Sequence, residues 1–253
     1  WSYGIGTRGS RSWATIHPGV MSAEANYGLV DFENNGGQLK AAMNSQASKD
    51  FHKQWVKMIS SSGPANWSGY TWYEVGNDIG AGASAMIFDA DILGYFFNGN
   101  PENKEAGNFG FHGFTPNPSA SAPTPTVWIW SLAMSNFSKQ KDAAWYWMQW
   151  CNGPENAMAG GVKHKQVNPV RESVWASGDF DDKIRGTSPG YMEQYNSSID
   201  GSKIHFTAQP LFFETTTEWA AALQEMQTGS NVDETLDKLA SKIDRMMKDV
   251  GLA

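Results

Sequence analysis

Residues 126–150, TVWIWSLAMSNFSKQKDAAWYWMQW, join an aromatic strand pattern to an unusually apolar helix pattern through one short polar turn, and hold five of the chain's twelve tryptophans. Side chains on a strand alternate faces, so Trp128 and Trp130 are expected on one face and Val127 and Ile129 on the other. With both faces apolar, the strand is expected to be central. Buried parallel strands normally use Val, Ile and Leu. Two neighbouring indoles therefore point either to a flat-lying ligand or to dense core packing.

Composition narrows the function classes. The chain has 253 residues, 40% of them hydrophobic and 18% charged, enough for one large domain or two smaller ones and typical of a soluble globular protein. A net charge of -7 and a pI near 5.2, with scattered basic residues, argue against a nucleic-acid partner. No run is long enough to span a bilayer. The single cysteine, Cys151, excludes an internal disulfide and sits among Trp147, Met148 and Trp150 as a small hydrophobe. The sequence opens on Trp1 with WSYGIG, a strand pattern without signal-peptide character, so a processed or truncated polypeptide is expected.

Along the chain, strand patterns are read at 1–6, 84–88, 108–114 and from 126. Helical patterns are read at 45–61, with Phe51, Trp55, Met58 and Ile59 on one side, and at 71–81, where Thr71 and Glu74 form a capping box. Residues 116–125 are a Pro/Ser/Ala-rich connection. Ser138 is expected to cap a helix ending near Cys151, Pro154 to open the next, and Gly160-Gly161 to stop it. Two final helices, 214–228 and 232–249, are separated by TGSN, with Ser230 and Asp233 marking the second start. Strands alternating with helices predict an α/β fold with a largely parallel sheet.

Several catalytic patterns lose weight in context. Gly4-Ile-Gly-Thr-Arg-Gly9 matches GxGxxG, but SRSWATIHPG opens a helix poorly and reaches Pro18 too soon. Ser138-Lys-Gln-Lys141 matches SxxK without the rest of that signature. His17, His52, His112, His164 and His205 lack zinc-site spacing. Asn66-Trp-Ser68 is a glycosylation acceptor only in a eukaryotic secretory setting. Asp89 and Asp91, in AMIFDADILGYF, share a side if the strand continues. Paired carboxylates serve glycosidic acid/base chemistry when they straddle a bond. Two neighbours on one strand end suit hydroxyl binding better, with a solvated loop pair as the bland option.

The order of motifs resembles family 1 extracellular solute-binding proteins of bacterial ABC importers. GASAMIFD is similar to that family's "GkaAM" strand, and FGFHGFTPNP to its "vGfa..P" strand. TVWIWSLAMSNFSKQKDAAWYWMQW is similar to "gg..laI...SKnKeaAw.Fi.W", NPVRESVW to "P.R.sv", and QTGSNVDETLDKLASKIDRMM to the closing "l.G.s.eeALd.a...i" helix. Five pieces stand in the expected order across nearly the whole chain. Members are usually longer.

The resemblance implies an α/β, type II periplasmic-binding-protein-like fold, two lobes joined by a hinge, with the amino-terminal lobe incomplete in this chain. It implies residues 1–125 as the first part of the carboxy-terminal lobe, 126–176 as hinge crossing and amino-terminal-lobe segment, and 177–253 as closing helices of the carboxy-terminal lobe. The helix after Ser138 would pack on a sheet only partly supplied here, and alone would expose an apolar patch. The tryptophan and aspartate content resembles the mannitol/sorbitol-type polyol-binding subgroup.

The implied function is capture of a sugar alcohol or small sugar in an interlobe cleft and delivery to ABC permease transmembrane subunits. The protein would be a periplasmic monomer without enzymatic activity, metal or organic cofactor. Aromatic faces suit the C–H edges of a polyol, and charged forks suit its hydroxyls. The expected ligand-binding residues are Trp128 and Trp130 as platform, Asp89 and Asp91 as acceptors, and Arg8 and Arg171 as donors. Trp13 and Phe213 lie where the family's ligand-facing loops fall. A glycoside hydrolase using Asp89, Asp91 or Glu214, and a lectin-like module, are the alternative classes.

Overall fold

Polar residues ahead of apolar-periodic runs, and glycine pairs between strand-forming runs, set where the elements begin and turn. In the computed structural model, which describes residues 1–164 and 168–253, β1 (Tyr3–Gly6) leads to a helical segment made of α1 (Trp13–Thr15), a π-helical stretch (Ile16–Met21) and α2 (Ser22–Ala25). The hairpin β2 (Phe32–Asn35) and β3 (Gln38–Ala41) follows, then α3 (Gln46–Ser62), α4 (Trp72–Gly80), β4 (Ser84–Ile87) and α5 (Asp91–Asn98). After a long irregular stretch come α6 (Lys141–Cys151), α7 (Pro154–Val162), α8 (Glu172–Trp175), α9 (Gly178–Thr187) and α10 (Tyr191–Ser198). The chain closes with α11 (Phe212–Gln227) and α12 (Val232–Asp249). Among the described residues no helix is long and apolar enough to cross a membrane.

Contacts gather the chain into two compact units, one of residues 1–90, 113–127 and 198–253, the other of residues 91–112 and 128–197. In unit 1, β1 and β4 pair in parallel, Tyr3 opposite Ser84 and Ile5 opposite Met86. Gly36 and Gly37 take φ of 66° and 95°, the left-handed turn that closes β2 on β3. The Ser45 side chain caps α3 by accepting from Ser48 N, and α4 carries the Thr71–Glu74 capping box. In α12 the cap is Asn231, which accepts from Glu234 N, rather than Ser230 or Asp233. Buried Leu236, Leu239, Ala240, Ile243 and Met247 then follow helical spacing. They pack into one core with Phe51, Trp55 and Ile59 of α3 and Trp219 and Leu223 of α11. Each such large apolar side chain contributes roughly 1.5–3 kcal/mol through burial.

A polar network is buried in that core. Glu24 accepts from the Ser48 hydroxyl at 2.6 Å, and Trp219 Nε1 donates to His52 Nε2 at 2.9 Å. With Nε2 accepting, the imidazole proton sits on Nδ1, which donates to the Ser48 carbonyl at 2.8 Å. Burial pushes the Glu24 carboxyl up to about 8 and His52 down to about 4. At neutral pH both groups are therefore mostly uncharged, and their 3.5 Å approach is not an ion pair.

Unit 2 has a smaller core of Tyr95, Val174, Phe180, Ile184, Tyr191 and Met192. Gly160 and Gly161 lie in the last turn of α7, which ends at Val162, within one residue of the expected stop. A Cβ on Gly161 would come within 3.2 Å of Phe180 Cδ2, so the glycine also permits close packing. Helix α6 begins at Lys141 with Gln140 as cap, three residues after Ser138. Ser138 instead accepts from Gln140 N in the preceding turn.

The expected central strand from residue 126 does not form. Thr126 makes one isolated parallel bridge to Lys203, and beyond it no strand among the described residues offers a ladder, which a strand requires for its backbone groups. Residues 108–114 are likewise irregular. The parallel sheet is thus a single pair of strands among the described residues. The apolar helix that follows is open to solvent, with Trp145, Tyr146, Trp147 and Trp150 all exposed.

Two expectations follow for stability. Joint replacement of Trp145 and Trp147 by Ser should leave the urea midpoint nearly unchanged and reduce aggregation, whereas Phe180→Ala should cost about 3–5 kcal/mol. Glu24 binds its proton more tightly folded than at its ordinary 4.5, so stability falls as pH rises through that window towards 8. His17 and His52, lowered from 6.5 to about 4, act oppositely below 6.5. The melting temperature of the wild type should therefore fall between about pH 6.5 and 8, and that of Glu24→Gln should change much less.

Candidate functional site

The chain leaves the parallel pair β1·β4 through Thr7-Arg8 on one strand and Phe88-Asp89 on the other, and the carboxyl ends of parallel strands are where α/β proteins place ligands. Arg8 donates through Nε to Asp89 Oδ2 at 2.8 Å and through Nη2 to Oδ1 at 2.5 Å. Asp89 Oδ1 also accepts from Ala90 N at 2.6 Å. The Asp89 side chain is 1% exposed and that of Arg8 15%. The carboxylate is thus consumed by the fork, while the guanidinium keeps Nη1 and one Nη2 hydrogen for another acceptor.

The loop carrying Arg8 is fixed by contacts that explain its glycines. A Cβ on Gly6 would meet Ile87 Cγ2 at 3.2 Å, and one on Gly9 would collide with the Trp67 carbonyl oxygen at 2.1 Å. Trp67 Nε1 donates to Thr7 Oγ1 at 2.9 Å, and Gln224 Nε2 donates to the Gly9 carbonyl at 2.7 Å. The GxGxxG spacing therefore serves strand packing and a close approach to Trp67.

Trp13 and Phe213 are brought edge to face, ring centroids 6.0 Å apart, with Phe213 exposed. His17 lies buried nearby, packed on Phe206 at 5.0 Å and hydrogen-bonded through Nε2 to Thr126 Oγ1 at 3.1 Å. Burial pushes it down to about 4. Arg8 and Asp89 also pack with Thr7, Thr15, Pro18, Gly19, Trp55 and Phe88 around a gap too narrow to admit a water molecule, so a ligand would meet Arg8 from outside that gap.

The other expected residues lie in unit 2. Asp91 opens α5 and accepts at Oδ2 from the Tyr191 hydroxyl at 2.6 Å and at Oδ1 from Asn168 Nδ2 at 2.9 Å. Trp128 and Trp130 sit edge to face, centroids 6.0 Å apart, with Trp130 exposed. Arg171 donates through Nε to the carbonyl of Asn152 at 2.6 Å. Asn152 caps the carboxyl end of α6, where a cation is favoured by the helix dipole.

Asp89 and Asp91 do not act as one paired site. Strand β4 stops at Ile87, and each carboxylate takes its own donors. Residues not anticipated are Tyr191 and Asn168 beside Asp91, and Thr7 and Trp67 beneath Arg8. The Asn-Pro pair at 168–169 was the available turn signal; a buried tyrosine aimed at a carboxylate leaves none. Among the described residues no group of three His, Cys, Asp or Glu side chains could hold a metal ion.

No family model matches the chain. An erythritol/L-threitol-binding protein of Mycolicibacterium smegmatis is 38% identical over 243 residues, which make up 94% of this chain and 49% of that protein. The chain is similar in sequence to that polyol-binding protein and in fold to solute-binding proteins of ABC transporters. It spans about half the length of that curated relative.

Solved structures show the same fold. A solute-binding protein of an ABC transporter from Agrobacterium vitis S4, with bound D-mannitol, aligns with a TM-score of 0.85 at 22% identity, covering 98% of this chain and 62% of that one. One from Agrobacterium radiobacter K84 in complex with ribitol gives 0.79 at 17%, covering 97% and 60%. The maltose-bound T. maritima MalE3 gives 0.80 at 14%, covering 96% and 60%. The α/β, type II periplasmic-binding-protein-like expectation therefore holds. The mannitol- and ribitol-bound neighbours are solute-binding proteins of ABC transporters.

The buried fork generates a stability prediction. Asp89→Asn leaves Arg8 without its counter-charge and should cost about 3–5 kcal/mol in urea unfolding, with Arg8→Met in the same background recovering most of it. A loss below about 1 kcal/mol would mean that the pair is not the anchor of this loop.

Proposed function

We propose that this chain belongs to a solute-binding protein that captures a short sugar alcohol outside the cytoplasm and delivers it to the permease of an ABC importer. The observation that carries the reading is the 38% identity to the erythritol/L-threitol-binding protein across 94% of this chain. The site chemistry supports it. Arg8, locked in place by Asp89, presents free N–H groups to a hydroxyl. Trp13 and Phe213, one of them exposed, suit the C–H face of a polyol. In unit 2, Asp91, Trp128, Trp130 and Arg171 are the proposed contacts.

In this reading Asp89 supports Arg8 from below and does not itself touch the ligand. The protein works in the periplasm as a monomer and uses no cofactor. Binding shifts its conformational population, and the permease reads that shift. Hydrolysis of a glycosidic bond is disfavoured because Asp89 is spent on Arg8 and Asp91 on Tyr191 and Asn168.

Thermal-shift titration with erythritol, L-threitol, ribitol, D-mannitol and maltose tests the proposal. At least one four- to six-carbon polyol should raise the melting temperature, by an amount equivalent to about 2.7 kcal/mol at a hundredfold excess over Kd. Arg8→Lys, which loses the fork, should weaken that ligand at least tenfold. No shift with any polyol would overturn the reading.

A further inference from the structure

Asp91 is exposed, yet its carboxylate is held as firmly as a buried one. Oδ1 accepts from Ile92 N and from Asn168 Nδ2, both at 2.9 Å, and Oδ2 accepts from the Tyr191 hydroxyl at 2.6 Å. The phenol also lies 2.9 Å from Asn168 Oδ1, so its single proton is shared, with the shorter contact to Asp91. Each carboxylate oxygen offers about two lone-pair sites. Oδ1 is filled, and Oδ2 retains one.

The Tyr191 donor is fixed from behind. The Tyr191 ring is 3% exposed and packs on Phe111 at 5.3 Å, Tyr195 at 6.0 Å and Tyr95 at 6.2 Å. Tyr195 in turn stacks on Trp175 at 4.3 Å. The hydroxyl therefore comes from the rigid aromatic core of unit 2. Burial, and then the Asp91 charge, hold the phenol far above its ordinary pKa, so it remains a donor. Asn168 has φ of 55°, a left-handed conformation seen in no other non-glycine among the described residues, and its side chain closes the triangle with Asp91 and Tyr191.

Fixing an exposed carboxylate in this way adds little stability, since surface charge interactions are worth about 0–1 kcal/mol. It does fix where the remaining acceptor points. Resting on the solute-binding reading above, we propose that Tyr191 and Asn168 are positioning residues that orient Asp91 so that Oδ2 accepts one ligand hydroxyl, and that this single acceptor discriminates polyol stereoisomers. A free carboxylate would accept two vicinal hydroxyls with little regard to configuration. One lone pair in a fixed direction accepts one.

The test is a double-mutant cycle on the full chain, with calorimetric affinities for erythritol, L-threitol and ribitol and melting temperatures measured alongside. Tyr191→Phe keeps the ring and Asn168→Ala removes the amide. Each should weaken the preferred polyol about tenfold and bring the affinities for erythritol and L-threitol closer together. In an Asp91→Asn background neither should weaken binding further, because both act through Asp91.

Equal losses in both backgrounds, or unchanged binding in Asp91→Asn, would overturn the inference and leave the solute-binding reading intact. Failure of the unmutated chain to bind any of the three would overturn both. If Tyr191→Phe does not fold, Asn168→Ala decides by the same criterion.

Discussion

The fork between Arg8 and Asp89 is the constraint on which unit 1 turns. A carboxylate this deeply buried is tolerable only when its partner is close and its oxygens are satisfied. The guanidinium meets that need with two hydrogen bonds and the Ala90 amide with a third. The fork can form only if β1 and β4 run in parallel with their ends level, which Gly6 opposite Ile87 sets. Gly9 against Trp67, Trp67 on Thr7 and Gln224 on Gly9 then hold the loop. The same contacts that satisfy a buried charge leave part of an arginine free, and that remainder is the proposed functional group.

Unit 2 solves a similar problem differently. Its core is small and aromatic, and its acidic side chain stays in water. Asp91 takes its orientation from a buried phenol and a left-handed asparagine instead of a counter-charge. In the proposed site one aspartate is a support and the other an acceptor, although they stand two residues apart in sequence. The tryptophans of α6, each a little more than half exposed, make no hydrogen bond to either arrangement.

Local signals were legible where the physics is local. The helix from Ser45, the capping box at Thr71, Pro154 at a helix start and the two closing helices all follow caps and helical periodicity. The strand from residue 126 was misread, because an apolar alternating run becomes a strand only beside a partner, and partners are not written locally. Ser138 was misread as the cap of α6, which starts from Gln140, whereas the end of α7 falls within one residue of Gly160-Gly161. That Gly161 also answers to Phe180 across the fold was not legible. The π-helical stretch through Pro18 was hidden by a residue that usually ends helices. Arg8, Asp89 and Asp91 were visible as residue types suited to hydroxyls. Their partners were not, since the separations from Arg8 to Asp89 and from Asp91 to Tyr191 are settled only by the fold.

A crystal structure of the chain with a four-carbon polyol bound would test the central claim most directly. The account predicts a ligand hydroxyl within about 3.2 Å of the free Arg8 guanidinium nitrogens, with the Arg8–Asp89 fork unbroken and Asp89 making no ligand contact. A complex in which the fork opens and Asp89 itself takes the hydroxyl, or in which Arg8 lies away from the ligand, would contradict it.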